Sequence, residues 1–152
     1  MPADLSQIRD DLTRPPRGRR PGLRPVQLLR WCVAMDLGTL RAALWTVRAC
    51  RRVHSAPGAG GLDAPRMPRV PAVPAHAQRG VEHVLWLRAE RCLVSASVRQ
   101  AWLAARGEAQ DVVIGVALEP SGEFRAHAWL SGEQAEGAGY EAIARVPPRR
   151  LS

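Results

Sequence analysis

Cys92 and His127 are the residues of this chain whose types and order suit a nucleophile and its base. Cys92 lies in Arg91-Cys92-Leu93-Val94-Ser95, at the expected start of a helix. His127 lies in Phe124-Arg125-Ala126-His127-Ala128-Trp129-Leu130, an expected strand. A thiol in the first helical turn meets free backbone N–H groups and the positive end of the helix dipole, and both favour the thiolate. The same N–H groups can form part of an oxyanion hole. Such a pair predicts acyl transfer or amide hydrolysis. The plainer alternatives are a buried core cysteine and a hydrogen-bonded surface histidine.

A base histidine needs an acceptor on its far ring nitrogen. Glu133 and Glu136 follow the strand, Glu141 lies further on, and no Asp follows Asp111. Glu136 is the preferred acid, and ordinary loop solvation is the plain reading of each glutamate. Alternation along the strand sends Phe124, Ala126, Ala128 and Leu130 to one face and Arg125, His127 and Trp129 to the other. The apolar set is then free to cover a helix, leaving His127 beside Trp129.

The elements that must position these residues follow from pattern. Residues 1–24 read as an Arg- and Pro-rich tail, because the run Arg14 to Gly22 cannot hold a helix. Residues 25–53 form a helical region in which Leu28, Leu29, Cys32, Val33, Leu37, Leu40, Ala43, Leu44 and Val47 recur at helical spacing, with Gly38 a possible break. Residues 54–74 are a Gly/Pro-rich linker. Residues 75–148 form the core that carries the site. In it a helix spans about 75–91 and a second runs from Cys92 to about Arg106. Strands follow over 111–118 and 124–130, with a third short element at 140–146. Helices followed by antiparallel strands predict an α+β fold.

Composition sets the outer bounds. The chain has 152 residues, enough for one domain with tails, and 46% are hydrophobic. The net charge is +8, carried by arginine with no lysine, which favours acidic partners through the long-range field. The basic residues do not interleave with aromatics as in a nucleic-acid groove. Three widely spaced cysteines, Cys32, Cys50 and Cys92, argue against a disulfide framework or zinc finger. No cofactor or metal is expected: there is no HExxH, no close Cys/His cluster, and no Lys-Ser or Lys-Thr after the Gly58–Gly61 stretch. Arg30, Asp36 and Arg41 interrupt the apolar run from Gln27 to Val47, so a cytoplasmic protein without a membrane span is expected.

The runs Arg91-Cys92-Leu93, Ala101-Trp102-Leu103, Arg106-Gly107, Val112-Val113-Ile114-Gly115-Val116 and Ala126-His127-Ala128-Trp129-Leu130 together resemble one known family. It is that of the transglutaminase-like B2 proteins of lasso-peptide biosynthesis, in the stand-alone form without a fused leader-recognition domain. The resemblance implies a transglutaminase-like, papain-like cysteine peptidase core, with N-terminal helices and a nucleophile helix packed on a small antiparallel sheet. It implies a thiol peptidase that cuts the leader from a lasso precursor. Cys92 would attack the scissile carbonyl, and His127 would assist the thiol and protonate the leaving amine. The implied partners are the precursor peptide, a small leader-recognition protein and a cyclase resembling asparagine synthetase. The Asp that the family carries after its His is absent here; its place falls near Gly139, and Glu136 would substitute. That departure supports an alternative, a catalytically impaired transglutaminase-like protein that binds precursor or maturation partners without cleaving.

Overall fold

The computed structural model describes residues 36–55, 66–133 and 139–148. The tail at 1–24, the helical positions Leu28, Leu29, Cys32 and Val33, the Gly-rich part of the linker and Glu136 lie outside the described residues. Helix α1 spans Leu37–Ser55. Asp36 starts it: its Oδ1 accepts the Thr39 N–H at 3.0 Å and its Oδ2 accepts the Thr39 hydroxyl at 2.8 Å, which satisfies an otherwise orphaned donor. The inward face consists of Thr39, Ala42, Trp45, Thr46, Ala49 and Cys50. This reverses the expectation from apolar spacing, since Leu37, Leu40 and Leu44 point outward.

Small residues win the inner face because a second helix comes to backbone distance. A 3₁₀ turn, Ala75–Ala77, leads into α2, Gln78–Leu87. A Cβ on Gly80 of α2 would stand 2.4 Å from the Thr39 carbonyl oxygen, so only glycine permits this approach. Helix α2 stops short of Arg91. Its carbonyls are closed off by Glu90 N–H to Leu85 O and Ala89 N–H to Trp86 O, with Ala89 in the left-handed region at φ 45°.

Helix α3, Cys92–Ala104, packs on both layers of the molecule. Its Val94, Val98 and Trp102 join Ala42, Trp45, Ala49, Cys50, Val81 and Leu85 in a first core. There the Trp45 and Trp102 rings lie 5.4 Å apart, tilted by 48°. Met67, Val70 and Val73 pack against this core, and the Trp45 indole N–H donates to Pro68 O at 3.0 Å. The opposite face of α3 meets the sheet, where Ala96 joins Val112, Ile114, Ala128 and Leu130 in a second core.

The sheet contains β1, Val112–Leu118; β2, Phe124–Leu130; and β3, Glu141–Val146. Their order is β2-β1-β3 and both pairings are antiparallel. The buried Gln100 amide ties α3 to the sheet by donating to Gln110 O at 2.9 Å and Val146 O at 2.8 Å. The architecture is α+β, with N-terminal helices and a small antiparallel sheet, as expected.

Candidate functional site

Cys92 is the first residue of α3, after an extended Arg91 whose side chain makes no cap. The thiol is half-buried. With Leu93 it packs against the aliphatic cluster of Ala96, Val112, Ile114, Ala128 and Leu130. Its place at a helix start is the one the sequence predicts, and its surroundings are those of a packed cysteine.

His127 is in the middle of β2, paired across the ladder with Gly115. Strand alternation sends His127 and Trp129 to the face away from Ala128 and Leu130. There the imidazole stacks on Trp129 at 5.9 Å and 14°, and lies 5.2 Å from the Tyr140 ring. Gly115 makes room for this aromatic group: a Cβ there would meet Trp129 Cη2 at 2.6 Å and Glu141 O at 2.9 Å. Among the described contacts, Cys92 packs on aliphatic side chains and His127 on aromatic rings.

The candidate acids Glu133 and Glu141 have separate places. Glu133 pairs through Oε1 with Arg99, which also reaches Glu82 at 3.3 Å, and its Oε2 accepts the Leu130 N–H at 3.2 Å. It fastens α2, α3 and the end of β2 together. Glu141 opens β3 opposite Val116.

Two groups of polar residues were not singled out by sequence reasoning. The first surrounds Glu90, whose side chain is 5% exposed. Arg88 Nε donates to its Oε1 at 2.6 Å and His54 Nε2 lies 2.8 Å from Oε2. Burial pushes the Glu90 carboxyl up, but these bonds outweigh it and hold the carboxyl below its usual value. The nearby Cys50 thiol is pushed up to about 12, first by burial and then by the Glu90 charge, so it is an inert core thiol. Nothing in the spacing of Cys50, His54 and Glu90 announces that the fold gathers them.

The second is an open groove of about 630 Å³ along α2, lined by Ala75, His76, Gln78, Arg79, Glu82, His83 and Trp86. Trp86 is 51% exposed, a large apolar ring at the surface. His83 lies 6.0 Å from it, and partial burial lowers the His83 pKa, favouring the neutral ring. At the groove's start His76 meets Asp36 at 3.0 Å. The only signal in the sequence is the spacing of Arg79, Glu82, His83 and Trp86 along one helix face, which also describes a solvated face.

A family profile described as the transglutaminase-like superfamily matches residues 31–145. The chain belongs to that superfamily. This is the family associated with the lasso-peptide B2 proteins, in agreement with the resemblance. No curated protein and no solved structure matches the chain.

As a transglutaminase-like protein the chain requires one correction. The expectation of a hydrolase, specifically a thiol peptidase that cleaves a leader, is not upheld. The superfamily match gives a fold and not a hydrolytic activity, and the lasso-peptide B2 association goes with a non-cleaving role. These findings support the non-cleaving alternative. Among the described residues, no helix is long and apolar enough to cross a membrane.

Proposed function

We propose that this transglutaminase-like protein binds a lasso precursor peptide without cleaving it, with the α2 groove as the contact surface. The half-exposed Trp86 beside Arg79, Glu82 and His83 carries this reading. An indole at the rim of an open groove offers stacking area at low entropic cost, and the flanking charges offer directional bonds to a peptide backbone. Arg99 holds Glu82 and so fixes one wall of the groove to the sheet layer. The association of the superfamily with lasso-peptide biosynthesis supports reading the ligand as a maturation precursor. In this proposal a small leader-recognition protein and an asparagine-synthetase-like cyclase are the proteins to which bound precursor passes. Cys92, His127 and Glu136 then have structural roles, or bind without reacting.

The test is titration of a fluorescently labelled synthetic precursor, leader plus core, into the full chain. Trp86→Ala is expected to weaken binding about tenfold or more, the loss typical of an aromatic anchor. The double variant Cys92→Ala/His127→Ala is expected to bind within about twofold of the parent, well under the free-energy step that separates decades of affinity. Equal binding by Trp86→Ala overturns the groove as the contact surface.

A further inference from the structure

Helix α1 has an outer face that no other described element covers. Leu37, Leu40 and Leu44 are 65%, 45% and 51% exposed, at spacings of three and four along one side. Single surface leucines are ordinary, but three aligned over two turns form a ridge. Arg48 and Arg51 continue the same line toward the C-terminus, with Arg41 beside it, and all three are exposed. The helix contains no Asp or Glu along its length. Among the described residues, no ion pair involves Arg41, Arg48 or Arg51.

We propose that this face docks an acidic amphipathic helix of a partner protein. The leucines would meet the partner's apolar ridge, and the arginines its carboxylates. The inference rests on reading the protein as a binding module and adds a second surface to it, separate from the α2 groove. Charge selects the occupant. A second copy of this +8 chain would bring the same arginines against themselves. Of the residues ahead of Asp36, the stretch 9–24 is rich in arginine, and the apolar stretch 26–34 holds no carboxylate to meet Arg48 and Arg51. A lipid surface suits a helix whose charges flank a broad apolar face. Here leucine and arginine follow one another along a single line, so burying one end in acyl chains would draw the other end in after it. A protein helix with an apolar half and an acidic half matches that sequence.

The experiment uses the full chain and a synthetic helical peptide with leucines at three- and four-residue spacing in one half and glutamates in the other. Binding is followed by fluorescence anisotropy. The comparators are a scrambled peptide of equal composition and vesicles of mixed phosphatidylglycerol and phosphatidylcholine. Leu40→Ser/Leu44→Ser and Arg48→Glu/Arg51→Glu alter exposed positions, and circular dichroism melts check that each variant stays folded. The expected result is binding that drops about tenfold or more in each double variant, for the scrambled peptide and in high salt. Absence of binding overturns the proposal, as does equal binding of the scrambled peptide or insensitivity to both variants. Vesicle binding lost with the same substitutions assigns the face to lipid instead, and concentration-dependent self-association lost with them assigns it to a second copy. Trp86→Ala should leave this binding unchanged while weakening precursor binding, so failure here and failure of the groove reading give different results.

Discussion

The two sides of α3 face different interiors. On one side Val94, Val98 and Trp102 enter a core built around two tryptophans, closed by Met67, Val70 and Val73. On the other, Ala96 and the flanking Cys92 and Leu93 meet a thin aliphatic layer of Val112, Ile114, Ala128 and Leu130. The helical side carries the bulk and Cys50, and the sheet side carries Cys92. A groove with polar lining runs along α2, and no residue of that seam lines it.

Substitutions at the two sides should separate them. Trp102→Ala removes a fully buried ring from the larger core and should cost about 3–5 kcal/mol in denaturant unfolding, enough to unfold a marginal domain. Leu130→Ala in the thinner layer should cost about 2–5 kcal/mol, toward the lower end if the sheet can settle onto α3. A Leu130 cost equal to that of Trp102 would remove the distinction between the layers. Gly80→Ala should cost about 1–3 kcal/mol by forcing α1 and α2 apart, with no loss of sheet signal in hydrogen exchange. Cys92→Ala should change stability by less than about 1.5 kcal/mol, as a half-buried residue exchanged for another small apolar one.

The smallest effect concerns acid. The Asp36 carboxyl is held at about 2, chiefly by the Thr39 N–H, then by the Thr39 hydroxyl and the nearby His76. A depressed carboxyl stabilises the fold above its unfolded value and loses that contribution as pH falls through its folded value. The Asp36 contribution is therefore complete above pH 4 and fades toward pH 2. Asp36→Asn should flatten that part of a stability–pH curve and leave the neutral region nearly unchanged, since Asn also caps helices well.

Much of the frame was legible in the residues. The alternation in Phe124–Leu130 gave both the strand and its two faces, and Ala128, Leu130 and Trp129 lie where it put them. The β-branched run starting at Val112 and the helix starting at Cys92 were equally plain. The inner face of α1 was not. Periodicity selects the larger apolar residues, so it chose Leu37, Leu40 and Leu44, whereas the fold buries Thr39, Ala42, Thr46 and Ala49 because Gly80 comes within backbone range. Close packing favours small residues, and that preference depends on a helix far along the chain. The elements that carry Cys92 and His127 were legible, and the hydrolase reading placed on them was not upheld. A residue's spacing tells its element, whereas whether a family member cleaves is not written in that spacing. The Trp86 groove and the Glu90 cluster join residues whose spacing is that of ordinary solvated positions.

The most direct test of a binding role without cleavage is intact-mass spectrometry of the full chain incubated with synthetic precursor, alongside the Cys92→Ala variant. The account predicts unmodified protein, full-length precursor and comparable binding by both proteins. A peptide-sized thioester on Cys92 together with a shortened precursor, both missing in Cys92→Ala, would contradict it.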